Sequence, residues 1–105
     1  MDVTVRDDQE SGSYDALVDG RIAGMIIYQR HGDHVTFRST VVEPGLRGHG
    51  IATTLVRQAL DDLAEHHRTL TNYCGFVTDY IAAHPEYVRL LDEHQAAQIR
   101  TVESN

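Results

Sequence analysis

The segment whose residue types promise most chemistry is Leu46-Arg47-Gly48-His49-Gly50-Ile51-Ala52, where two glycines and an arginine stand directly before an apolar stripe at helical spacing. The first N–H groups of a helix lack intrahelical partners and carry the positive end of the macrodipole, so this position attracts a phosphate. Gly48 and Gly50 let backbone amides approach an anion with no Cβ in between, and Thr53 and Thr54 add hydroxyls in the first turn. The dipole alone contributes about 0.3–2 kcal/mol, so several amides must act together. The same Gly-x-Gly would also serve simply as a tight strand-to-helix connection. It is not a Walker A loop, because no Gly-Lys-Ser/Thr follows, nor a dinucleotide fingerprint, because the third glycine is missing.

Two further residues offer reactive groups. Cys74, the one cysteine, falls between a short β-rich run and the next helix, where a helix N-terminus favours thiolate; equally, a free cysteine is a small buried hydrophobe. Tyr80, on the following helix, and Tyr87 are candidate proton donors or packing aromatics. The seven histidines do not form a ligand set. His66 and His67 are adjacent, His31 and His34 flank a turn, and His49, His84 and His94 stand alone, so no metal is expected.

The elements that position these groups follow from periodicity. Residues 3–42 read as four antiparallel strands separated by Ser11-Gly12-Ser13, the hairpin signal Asp19-Gly20, and His31-Gly32-Asp33. On the fourth strand, Val35, Phe37, Ser39 and Val41 are expected to share a face. Glu43-Pro44-Gly45 ends it. Ile51, Ala52, Leu55, Val56, Ala59, Leu60 and Leu63 form the stripe of an amphipathic helix, with His66, His67 and Arg68 in its last turn. Thr69–Tyr73 reads as a strand reached by a parallel crossover, so the fold class is mixed α/β (α+β): an antiparallel meander, a helix, a parallel fifth strand and C-terminal helices. Phe76–Ala83 reads as helical, with a break at His84 before Pro85. A new helix starting at Pro85 would bury Val88, Leu91 and Ile99, and the polar end from about 101 to 105 would fray.

The 105 residues suit one domain with one core. A net charge of -7 with no basic stripe argues against nucleic acid. The longest apolar runs fall far short of the roughly 20 residues a membrane span needs. With no leader at the start and a lone cysteine, the expected location is cytoplasmic, and the expected state a monomer or weak dimer.

Arg47, Gly50 and Ala52 match Arg-x-x-Gly-x-Ala, which resembles the acetyl-CoA pyrophosphate loop of the GNAT superfamily of N-acetyltransferases. The resemblance spans Val41-Val42-Glu43-Pro44-Gly45-Leu46-Arg47-Gly48-His49-Gly50-Ile51-Ala52, then Cys74, then Tyr80-Ile81-Ala82-Ala83-His84-Pro85-Glu86-Tyr87. It is similar to the small, roughly one-hundred-residue branch of that family. The resemblance implies acetyl-CoA as co-substrate in a cleft where the fourth and fifth strands splay, held by Val41, Val42, Leu46, Arg47, Gly48, His49, Gly50, Ile51, Ala52 and Thr53. It implies an amine acceptor of unknown identity, with Cys74 near the thioester; of the two candidate donors, Tyr80 is the better placed, on the helix that follows Cys74. Relatives often carry a His where Ser39 stands, which leaves no clean general base here. The alternative is a CoA-binding or interaction domain that keeps the loop without the chemistry.

Overall fold

Alternating apolar and polar residues draw the first part of the chain into four antiparallel strands, β1 (Thr4–Asp8), β2 (Ser13–Val18), β3 (Arg21–His31) and β4 (His34–Val42), paired in chain order. The computed structural model describes residues 2–103, with side chains as far as Ile99. Asp19 and Gly20 both take positive φ, 51° and 77°, as a type I′ hairpin turn requires.

The face expected of β4 breaks in its middle. Ile27 pairs with Ser39 and Tyr28 with Phe37, so Arg38 is an extra, bulged residue. A bulge shifts the alternation by one. Val35 and Phe37 are buried as expected, but beyond Arg38 it is Thr40 and Val42 that turn inward, while Val41 is 51% exposed.

Helix α1 (Ile51–Glu65) follows, and its buried stripe shares one core with Tyr14, Ile26 and Phe37 of the sheet. The Tyr14 hydroxyl donates to Asp62 across that contact, at 2.6 Å. His66, His67 and Arg68 come just after the helix rather than in its last turn, and His67 takes the left-handed conformation (φ 54°) common at a helix end. Strand β5 (Thr69–Asn72) then lies parallel to β4, completing a five-stranded mixed sheet ordered β1-β2-β3-β4-β5.

Helix α2 (Gly75–Ala83) ends at His84, as Pro85 demands. The single helix expected beyond it is instead a 3-10 turn, Pro85–Leu90, and a separate α3 (Glu93–Glu103). Leu91 breaks them apart because it bridges to Leu70 in parallel, beside β5. Val88, Leu91 and Ile99 are all buried, but from three different segments. The helix continues to Glu103, through part of the stretch expected to fray; residues 104 and 105 lie outside the described residues. Among the described residues no helix is long and apolar enough to cross a membrane.

Candidate acyl-transfer site

The site begins with a mismatch in strand length. β5 stops at Asn72, opposite Phe37, and the last link is Tyr73 N–H to the Phe37 carbonyl, 3.0 Å. β4 continues to Val42, so residues 38–42 have a gap beside them where a fifth parallel pair would otherwise form. The Arg38 bulge lies where the two strands part, and the extra twist of a bulge turns β4 away from its neighbour.

One wall of this gap is the turn from β5 into α2. Cys74 is the N-cap residue of α2, 9% exposed, and its carbonyl accepts the Thr78 N–H at 3.1 Å. Its Sγ lies 3.1 Å from Thr40 Oγ1, a side-chain link across the open end of the strands. Asn72, buried, holds the turn from beneath: its Oδ1 accepts the Cys74 N–H at 3.1 Å, and its Nδ2 donates to the Cys74 carbonyl at 3.0 Å and to Thr78 Oγ1 at 2.9 Å.

At the far end of β4 a short 3-10 turn, Pro44–Leu46, feeds into Arg47, Gly48, His49 and Gly50. Gly48 (φ 85°) and Gly50 (φ 74°) are both left-handed, and a Cβ built on either meets nothing within 4 Å. The glycines are therefore required by the backbone and leave open space in front of it. Gly50 caps α1 with no side-chain bond, and the first helical bond is Thr54 N–H to its carbonyl, so the N–H groups of 51, 52 and 53 stay available. A cavity of about 290 Å³ opens onto them.

Of the ten residues expected to hold the ligand, Val42, Leu46, Arg47, Gly48, Gly50, Ile51, Ala52 and Thr53 line that cavity. Val41 and His49 do not; the bulge turns Val41 outward. Phe76, 43% exposed, closes the cavity from α2 and is a residue the sequence reading passed over. Its position two residues after Cys74, on the outer side of a helix start, was the available signal.

The other catalytic candidate, Tyr80, makes no hydrogen bond to Thr40 or Cys74 among the described residues. Tyr80 stacks on His84 with ring centroids 4.1 Å apart and packs beside Tyr87, whose hydroxyl donates to Asp61 of α1 at 2.6 Å. Burial holds the Tyr80 phenol above its usual value of 10.0, with Arg57 opposing the rise. It is protonated at neutral pH and forms no hydrogen bond among the described residues, so it has a proton to give, but its partners place it along the α1–α2 seam. His84, whose Nδ1 meets the Tyr80 carbonyl at 2.9 Å, belongs to the same seam. Among the described residues no three His, Cys, Asp or Glu side chains gather as a metal site.

A parallel β4–α1–β5 unit splays beyond Phe37, and the glycine cradle leaves a helix start of the kind that can bind an anion. Residues 13–90 match the family model described as GCN5-related N-acetyl-transferase. The chain belongs to that family. A solved structure, the ribosomal-protein-S18-alanine N-acetyltransferase from Escherichia coli, shares the fold with a TM-score of 0.52 and 21% identity, over 57% of this chain and 39% of that chain. The match thus spans well under half of the solved chain. Comparison with curated proteins gives no match.

Proposed function

We propose that this chain is an acetyl-CoA-dependent N-acetyltransferase acting on an amine acceptor, a minimal domain in which the cradle at residues 47–53 binds the pyrophosphate. The observation that carries this reading is the continuity of the cavity with β4: Val42 ends the strand, lines the cavity, and leads back along the unpaired edge to Thr40 and Cys74. A pantetheine arm laid on that edge can bond to backbone groups that β5 leaves free, and Phe76 offers it an apolar wall.

The amine nitrogen attacks the thioester carbonyl, a C–N bond forms as the C–S bond breaks, and the departing thiolate takes up a proton while the nitrogen releases one to solvent. Thr40 and Cys74 bound the place where this occurs. The side chains tied to the gap, Thr40, Cys74, Asn72 and Thr78, include no strong base, so orientation supplies the larger share of the rate. That same neutrality favours the second reading, a CoA-binding domain without catalysis. The free, buried Cys74 suits a reducing compartment such as the cytosol.

The deciding experiment incubates the protein with acetyl-CoA and a panel of small amines, polyamines and lysine peptides, reading free thiol and acetylated product. Acceptor-dependent thiol release is expected. Tight CoA binding with no product from any acceptor would support the second reading instead.

A further inference from the structure

Among the described residues no strand neighbours the outer edge of β5, yet its polar groups are satisfied in an unusual way. The Leu70 carbonyl accepts the Asp92 N–H at 3.0 Å, beside the Leu70–Leu91 bridge. One residue pair further on, the Gln95 side chain takes the place of a strand. Its Oε1 accepts the Asn72 N–H at 2.8 Å and its Nε2 donates to the Asn72 carbonyl at 2.8 Å. A primary amide carries its acceptor and donor side by side, which matches the outward N–H and C=O of one extended residue.

Gln95 gives up a local role to do this. Asp92-Glu93-His94-Gln95 has the spacing of a capping box, in which the fourth residue folds back to the N-cap N–H. Here only half of the box forms. Asp92 Oδ1 accepts the Gln95 N–H at 2.9 Å, but the Asp92 N–H is taken by Leu70 and the Gln95 amide is sent across to Asn72. Thr71 Oγ1 donates to the other carboxylate oxygen at 2.8 Å, so the start of α3 is tied to β5 at three successive residues, Leu70, Thr71 and Asn72. Asn72 in turn spends its side chain on the Cys74 turn.

We infer that Gln95 is a positioning residue for the acyl-transfer gap: through the backbone of Asn72 it fixes the β5–α2 turn and so the place of the Cys74 thiol opposite Thr40. This deepens the acetyltransferase reading and rests on it. It also gives α3, which lies beyond the residues matched by the family model, a part in the site.

The test uses the full chain and its single cysteine. Gln95→Met keeps the length and removes the amide. The rate of Cys74 alkylation by iodoacetamide, measured well below the melting temperature, is expected to rise about tenfold or more as the turn opens locally. Leu63→Ala, a core cavity remote from the turn and at least as costly to stability, should leave that rate within about twofold. The melting shift produced by CoA should be nearly unchanged in Gln95→Met, because the cradle is held by other elements. An alkylation rate within twofold of the parent, or a rise equal to that of Leu63→Ala, overturns the inference. A parent protein that shows no melting shift with CoA instead sinks the acetyltransferase reading and leaves the thiol result standing. Should Gln95→Met fail to fold, amide exchange in the parent decides: the Asn72 N–H must be strongly protected, and free exchange there contradicts the assignment.

Discussion

The two ends of the gap beside β4 are built on opposite plans. The cradle end uses backbone alone: left-handed glycines, unpaired N–H groups at a helix start, and open space. The β5 end uses side chains, Thr40 and Gln95 from far along the sequence and Asn72 from two residues before Cys74, each saturating a neighbour's backbone or thiol. Under the proposed function, the end that accepts a bulky anion keeps its polar groups free, and the end that holds the reacting carbon uses its polar groups up. Substitutions at the first should therefore change ligand affinity with little effect on stability, and substitutions at the second should do the reverse.

The largest effect should come from Gly50→Asp, which sets a carboxylate in the cradle. CoA affinity should fall at least about a hundredfold, equivalent to about 2.7 kcal/mol, as read by calorimetry. Asp tolerates left-handed φ better than most residues, so the melting temperature should move little. Gly50→Ala is the exception at this end, set by backbone conformation rather than by contacts: it adds only a methyl group in open space, but at φ 74° it is strained by about 1 kcal/mol, so it should cost stability and little affinity. A Gly50→Asp protein that binds CoA like the parent would erase the contrast between the two ends.

Cys74→Ser asks whether the closed end supplies position or a covalent carrier. With direct attack, the Ser variant keeps at least about a tenth of the rate, and no acetyl-cysteine accumulates when the parent is held with acetyl-CoA alone. A drop of several powers of ten with CoA affinity intact would make the thiol a carrier. Phe76→Ala is a smaller change at the cradle end and should weaken CoA by about tenfold or less, without altering the thiol's reactivity.

How much of this was legible in the sequence follows the same division. The Asp19-Gly20 hairpin, the helix from Ile51 and the glycine cradle are local: a few adjacent residues dictate each, and the structure keeps all three. The Arg38 bulge was not legible, because Val35, Phe37, Ser39 and Val41 alternate as a regular strand would, and only pairing with β3 shows the extra residue. The division of the chain after Pro85 was hidden for a similar reason. Leu91 has a helical apolar residue's spacing from Val88, and it is a bridge to Leu70, distant in sequence, that makes it extended. Asn72 and Gln95 read as ordinary polar residues until their partners are known.

The smallest expected effects test the α3 cap. Asp92→Ala should cost about 0.5–2 kcal/mol, the range for losing an N-cap. Hydrogen bonds from the Gln95 N–H, and then from Thr71, hold the Asp92 carboxyl below its usual value of 3.8. A depressed folded value means that the charge contributes fully above the ordinary carboxylate range and is lost as pH falls through the lower folded value. Acid titration should therefore destabilise the parent more than Asp92→Ala below about pH 4, while their difference stays flat from pH 5 to 8. An equal acid response in both proteins would remove the charge from the account of the cap.

The claim on which the rest depends is that the cradle binds the pyrophosphate of CoA, and the melting temperature of the parent tests it most directly. At a hundredfold excess over its dissociation constant, a ligand of the native state adds about 2.7 kcal/mol, which for a domain of this size is roughly 10 °C. CoA and acetyl-CoA should both produce such a shift, and NAD or ATP at the same concentration should produce clearly less. A folded sample whose melting temperature CoA does not raise, or raises no more than ATP does, contradicts the account.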